Sequence, residues 1–274
     1  MSPYIESTTT TTTEEPLVDH YEKLVAPQAD NRKYEIVYQN LITFGYGHAA
    51  ALYGLYLACT SATWSTIIFH YILFAAASIG ITAGAHRLWT HRAYKAKMPL
   101  QIILLVMNSL AFQNTAITWV RDHRLHHRYA LPFIGTICFV LPTIIPMYFW
   151  GETLSTAWHL AVLRYVCNLH NAFLVNSAAH MWGNKPYDKS IQPAQNLAVS
   201  ILAFGEGFHN YHHVFPWDYK TAELGNNYLN ATTYFIDFFS RLGWAYDLKS
   251  VSEDHIQSRS SRCGDGSDSW GLKS

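Results

Sequence analysis

Eight histidines of this 274-residue chain fall into three tight clusters: His86-Arg-Leu-Trp-Thr-His91, His123-Arg-Leu-His126-His127 and His209-Asn-Tyr-His212-His213. Imidazole is the commonest metal ligand, and spacing decides whether several rings can converge. In HxxHH the positions i, i+3 and i+4 share one helix face, so three rings point the same way. Eight nitrogens are too many for one ion, so the pattern predicts two. Structural zinc takes four ligands, often with cysteine. The four cysteines here (Cys59, Cys138, Cys167 and Cys263) are far apart, without CxxC pairing or a disulfide framework, and read as reduced and mostly buried. His20, His48, His70, His159, His170 and His255 stand singly and read as hydrogen-bonded core residues.

The elements that must position these clusters are apolar. Half of the residues are hydrophobic and the formal net charge is zero, which gives no footprint for nucleic acid. No Asp, Glu, Lys or Arg occurs in residues 36–86, 100–120 or 129–151. A spanning helix needs about 20 apolar residues, and a charge at its centre costs about 2.5–3.5 kcal/mol on insertion scales. The first run is therefore long enough for two spans, with a turn near residues 60–66. The start of the chain is acidic, carries a threonine run at 8–13 and has no apolar core of a signal peptide. Residues 1–31 read as a disordered tail, 32–249 as the folded membrane domain, and 250–274 as a polar, serine-rich tail or loosely packed extension.

A shared metal site places all three clusters on one side of the bilayer. That requirement makes residues 36–85 a hairpin ending at the first cluster, and forbids residues 100–120 from crossing. A second hairpin then runs out through 129–151 and back through 153–179. The expected fold is all-α and integral to the membrane, with four transmembrane helices in two hairpins and a cytosolic histidine-rich cap. Charge placement agrees: Arg87, Arg92, Lys95, Lys97, Arg121, Arg124, Arg128, Lys185 and Lys189 flank the clusters, while the outer turns carry only Glu152. Lys and Arg favour short cytoplasmic loops, so clusters and termini face the cytosol. Arg164, inside the fourth span, is expected to mark the outer interface.

Residues 84–91 (GAHRLWTH), 119–127 (WVRDHRLHH), 174–180 (LVNSAAH), 205–213 (GEGFHNYHH) and 242–249 (LGWAYDLK) resemble the membrane-bound acyl-CoA desaturases of the stearoyl-CoA type, and among them the insect members. The resemblance covers most of the chain from Tyr34 onward. It implies an O2-dependent oxidoreductase of the endoplasmic reticulum membrane that introduces a cis double bond into a saturated fatty acyl-CoA, at Δ9 or Δ11, in unsaturated fatty acid or pheromone biosynthesis. It implies two non-haem irons, with ligands at His86, His91, His123, His126, His127, His180, His209, His212 and His213. Asn176, one helical turn before His180, would reach one iron through water. Asn40, Asn114, Arg121 and Asp122 match positions that contact the coenzyme A end of the substrate. Electrons would come from cytochrome b5 and its reductase, in keeping with the lack of any flavin or nicotinamide motif. Imidazole suits iron, and iron supplies the oxidant that an unactivated methylene requires.

The chain departs from the family pattern in two places. Family members carry several dozen cytosolic residues between the second histidine cluster and the third span. Here His127 is followed at once by Arg128-Tyr-Ala-Leu-Pro-Phe133, as after an internal deletion. Phe173 stands where a tryptophan usually borders the acyl channel. The segment Gln192-Pro-Ala-Gln195 is closer to the group that includes Δ11 enzymes, and leaves Δ9 and Δ11 open. Two other functions fit the same histidines: a fatty-acid hydroxylase, told apart by an alcohol product, and a catalytically inactive shortened isoform, told apart by iron content.

Overall fold

The charge-free run after residue 36 folds into two helices, α1 (Tyr38–Thr60) and α2 (Trp64–Ile79), joined by a short turn. The Thr63 hydroxyl accepts the Thr66 N–H at 3.4 Å and so caps the start of α2. In this computed structural model the described residues are 36–112, 131–223 and 229–270. Leu41 closes a first unit of the chain and Ile42 opens the second, in which all the packing below falls. Asn114, Arg121, Asp122 and the whole second cluster (His123, His126, His127) lie outside the described residues.

Helix α2 runs on without a break into a π-helical segment, Gly80–Thr90. There the His91 N–H reaches the carbonyl of His86, five residues back, at 3.0 Å. This wider winding answers a geometric problem. On a regular α-helix, residues five apart diverge by about 140°, which would send His86 and His91 to different faces. π-Turns of this kind are rare and concentrate at functional sites.

A two-residue strand β1 (Lys95–Ala96) follows and pairs antiparallel with β2 (Ala245–Tyr246). Helix α3 (Met98–Ser109) comes next. Its 12 residues make about 18 Å, too short to cross a bilayer core of about 30 Å. Leu100 and Leu104, fully buried, pack on Ala83 and Leu88 of the π-helical segment and on Ile236 of α10 (Ala231–Arg241). The opposite face leaves Met98, Ile102, Leu105 and Val106 exposed.

The second apolar run forms α4 (Leu131–Gly135), a π-helical stretch (Thr136–Val140) and α5 (Leu141–Trp150). It turns at Gly151, which is left-handed at φ 71°, into α6 (Leu154–Asn176). Glu152, the only charged residue in the turns at 60–63 and 151–153, binds the two turns together. Its carboxylate accepts from the Thr63 N–H (3.1 Å), the Thr63 hydroxyl (3.0 Å), the Thr66 hydroxyl (2.6 Å) and the Thr153 N–H (3.1 Å). Burial pushes this carboxyl up, but the hydrogen bonds outweigh it and hold it below the usual value.

Arg164, expected at the outer interface, is enclosed by the protein. It is 2% exposed and sits about ten residues into α6, roughly 15 Å from its start. Its guanidinium donates to the carbonyl of Leu110 (2.8 Å), capping the end of α3, and to that of Cys138 (2.6 Å), within the π-helical stretch. Buried arginine survives where such acceptors surround it.

Among the described residues, two helical stretches are long and apolar enough to cross a membrane, Trp64–Thr90 and Phe133–Trp150. Helices α1 and α6 match them in length at 23 residues each, but α6 includes His159, Arg164, Asn168 and His170. Cys138 is buried, Cys263 intermediate, and Cys59 and Cys167 are exposed; all four are free. Of the single histidines in the described residues, only His70 is buried; His48 and His170 pair with each other at 3.0 Å on an exposed face.

Beyond α6 the chain folds into short pieces: α7 (Ala178–Met181), α8 (Leu197–Leu202), α9 (His209–Val214), then α10, β2 and α11 (Glu253–Cys263). Helix α11 lies in the stretch whose composition suggested a tail. Glu253 and Asp254 in its first turn and Arg262 in its last oppose the helix dipole correctly, and Ile256 anchors it to the core at 5% exposure.

Candidate metal centre

Six histidines converge in two triads. His86 comes from the π-helical segment, His91 from the residue that caps its C-terminal end, and His212 from α9. His180 comes from α7, and His209 and His213 from α9. Within each triad the ligand nitrogens lie within 4.8 Å of one another. Nε2 of His86 is 3.0 Å from Nε2 of His212, Nε2 of His180 is 2.8 Å from that of His209, and Nε2 of His213 is 3.1 Å from that of His209. An ion bound about 2.0–2.1 Å from each imidazole nitrogen needs those nitrogens about 3 Å apart, so the donor set fits a metal in each triad. The HxxHH spacing divides its rings: His209 and His213, one turn apart, serve one triad, while His212 serves the other.

The electrostatics favour the neutral form of His91, His209, His212 and His213. His209 and His212 are both 5% exposed. Burial first, then neighbouring rings, pull His209 down to about 3 and hold His212 well below the ordinary 6.5. His91 is lowered to about 4 by burial and by His86. A metal ligand must be deprotonated, so these shifts favour binding.

Sequence reasoning passed over the groups that hold the first triad. The Glu206 carboxylate, 6% exposed, contacts His86 Nδ1 at 2.9 Å with one oxygen and accepts from Arg87 at 2.7 Å with the other. A carboxylate on the far nitrogen fixes the tautomer that presents Nε2 to a metal. Burial would raise this carboxyl, but Arg87 and His86 reverse that and hold it well below the usual range. Arg87, fully buried, also donates to the carbonyls of Tyr219 and Lys220, to the Thr233 hydroxyl and to Asn230 Oδ1. The signal was present in the sequence: an arginine beside His86 at the end of a charge-free run demands a buried partner, and the glycines around Glu206 mark a tight backbone. Gly205 takes φ +108° against Asn230, where a side chain would clash.

A cavity of about 300 Å³ opens beside the triads, bordered by Ile81, Ala85, His86, Val175, Asn176 and His209. Asn176 ends α6 at this cavity, with its amide donating to the Ala172 carbonyl at 3.0 Å; it belongs to neither triad. Phe173 is 51% exposed and does not border this cavity. Asn40 is exposed in the first turn of α1.

Two histidine triads, each with its nitrogens close enough to share one ion, define a candidate metal site of the histidine-cluster kind. The chain is 55% identical over 304 aligned positions to the acyl-CoA Δ11 desaturase of Spodoptera littoralis, covering 91% of this chain and 90% of that protein. It is 51% identical to the (11Z)-hexadec-11-enoyl-CoA conjugase of Bombyx mori (90% and 91% covered) and 47% identical to the acyl-CoA Δ9 desaturase of Acheta domesticus (92% and 87%). No family model matches. The chain belongs to the acyl-CoA desaturase family.

Proposed function

We propose that this chain desaturates a saturated fatty acyl-CoA, forming a cis double bond beside two irons. The carrying observation is the pair of three-histidine clusters next to the cavity, in a chain more than half identical to a Δ11 desaturase. Bound iron supplies the oxidant for removing hydrogen from an unactivated methylene. His86, His91 and His212 would hold one ion and His180, His209 and His213 the other. His123, His126 and His127 would complete the two sets, and Asn176 would contribute through water. Glu206 keeps His86 in its metal-binding tautomer. The apolar walls at Ile81, Ala85 and Val175 suit a methylene chain and exclude water from it. Asn40, Asn114, Arg121 and Asp122 are assigned to the coenzyme A end, and cytochrome b5 with its reductase to electron supply. Between Δ9 and Δ11, the higher identity to the Δ11 relative favours Δ11.

The membrane reading is four spans, formed by α1, by α2 with the π-helical segment, by α4 with α5, and by α6, within the 32–249 domain. Its setting is the endoplasmic reticulum, with clusters and termini cytosolic. The large apolar side chains exposed along these helices, such as Leu52, Ile72 and Phe149, support it, since soluble surfaces avoid such patches. The stretch Trp64–Thr90 has 27 residues, up to about 40 Å, so its last turns, with His86 and Arg87, emerge beyond a core of about 30 Å.

The aligned span of 304 positions exceeds the chain's 274 residues, so at least 30 positions of the relative have no counterpart here. We assign this shortening to the connection after His127. Expression in desaturase-deficient yeast, with fatty acids analysed by mass spectrometry and His212→Ala as control, tests the function. New monounsaturated acids that the control lacks establish desaturation and give the bond position. An alcohol product, or none from chain found intact in the membrane, overturns it.

A further inference from the structure

Helix α9 supplies three of the six triad histidines but has only six residues, and isolated helices of that length do not hold themselves. Its position must come from outside. The fully buried residue facing away from the triads is Asn210. Its side-chain oxygen accepts the N–H groups of Tyr187 (2.9 Å) and Asp188 (3.1 Å). Its side-chain nitrogen donates to the carbonyls of Asp188 and Pro193, both at 2.9 Å. That uses the full hydrogen-bonding capacity of an amide and locks α9 to the 183–196 loop.

The same loop is gripped from its other side by α11. The Arg259 guanidinium donates to the Asp188 carboxylate. The Ser260 hydroxyl donates to the Pro186 carbonyl at 2.8 Å, and the Lys189 N–H to the Cys263 carbonyl at 2.9 Å. Lys185 and Asp265 exchange two bonds, Lys185 N–H to the carboxylate (2.8 Å) and Asp265 N–H to the Lys185 carbonyl (3.1 Å). Gly264 allows the contact, because a Cβ there would lie 2.1 Å from the Pro186 carbonyl oxygen. Ile256 of α11 packs with Tyr187 of the loop and with Tyr211 and Phe215 beside the histidines.

We infer that α11 and the 183–196 loop form a brace that sets the position of α9, with Arg259, Asp188 and Asn210 as positioning residues for both histidine triads. This rests on the two-metal reading above. Arg259 reaches the histidines only through Asp188, the loop backbone and Asn210. Outer partners of metal ligands typically carry 10–100-fold in affinity, and a displacement of about 1 Å can cost 100-fold in rate.

The test uses the full chain in detergent, with cobalt(II) as the metal probe and hydrogen exchange read by mass spectrometry. Asn210→Ala and Arg259→Ala should weaken cobalt binding about 10-fold or more, alter the visible cobalt spectrum that reports ligand geometry, and speed amide exchange in residues 209–214 while α5 stays as in the parent. In the double variant the losses should fall short of the product of the two single losses, because both act on one connection. Parent affinity, spectrum and exchange in Arg259→Ala overturn the brace, as does exchange that rises uniformly along the chain. A parent chain that binds no cobalt instead overturns the two-metal reading, and local exchange in α9 then decides the brace by itself.

Discussion

Replacing Glu206 by glutamine isolates one charge at the first triad. The carboxylate is held well below the usual carboxylate range by Arg87 and His86, so it is ionised at any pH at which the chain is handled, and the substitution removes a full charge at nearly constant shape. Arg87 would keep its acceptors at Tyr219, Lys220, Thr233 and Asn230, at 2.9, 3.2, 3.0 and 3.3 Å, but would lose the counter-charge it has at 2.7 Å. Breaking a buried ion pair from one side costs about 3–5 kcal/mol, and the surviving bonds place Glu206→Gln toward the lower end. At the metal, glutamine cannot accept from both Arg87 and His86 with the oxygens the carboxylate uses, since one becomes an amide donor. His86 then loses the partner that fixes its tautomer, a loss of about 10–100-fold in metal affinity, equivalent to about 1.4–2.8 kcal/mol. Two measurements on one preparation check this: thermal unfolding of the metal-stripped chain, and cobalt(II) titration of the folded chain. A variant that melts with the parent and binds cobalt as tightly would refute the reasoning, because the carboxylate would then be neither a counter-charge nor an orienting group.

His213→Ala should leave the His86, His91 and His212 set intact and lower bound metal from two ions toward one per chain, read by elemental analysis. Glu152→Ala removes the three hydrogen bonds that join its turn to Thr63 and Thr66, together with the local one to the Thr153 N–H, and should cost at least about 1.5 kcal/mol, seen as a lower melting temperature with unchanged cobalt affinity. Without metal, His91 near 4 and His209 near 3 sit below their ordinary 6.5. The unfolded chain therefore takes up protons first as pH falls, so the stripped chain should lose stability between about pH 6.5 and pH 3. A melting temperature that holds steady from pH 7 to pH 4.5 would contradict this.

The first and third histidine clusters, the two joined helices after residue 36 and the short helix α3 were legible because they rest on spacing and on uncharged length. The convergence of His86 with His91 was not, since HxxxxH meets on one face only if the helix winds as a π-helix, and nothing in residues 80–90 announces that. The burial of Arg164 was not legible, because a lone arginine in an apolar run looks like a boundary. Its acceptors, the carbonyls of Leu110 and Cys138, are 54 and 26 residues away and are backbone groups, invisible to any side-chain pattern. The C-terminal stretch misled for a similar reason: its serines and charges suit solvent, while its attachment runs through main-chain atoms of residues 185–189 and through Ile256.

The π-helical winding of Gly80–Thr90 also bears on how such a site tolerates insertions and deletions. A π-turn accommodates one residue more than an α-turn over the same axial length. Removing one residue between His86 and His91 would let the segment relax to α-helix and leave the two histidines four apart, again on one face. Removing two would leave them three apart, still on one face but one residue, about 1.5 Å, closer along the axis. Chain length between these ligands and helical winding are thus exchangeable by a single step. A lineage could gain or lose one residue here without ever passing through a form whose first two ligands point apart.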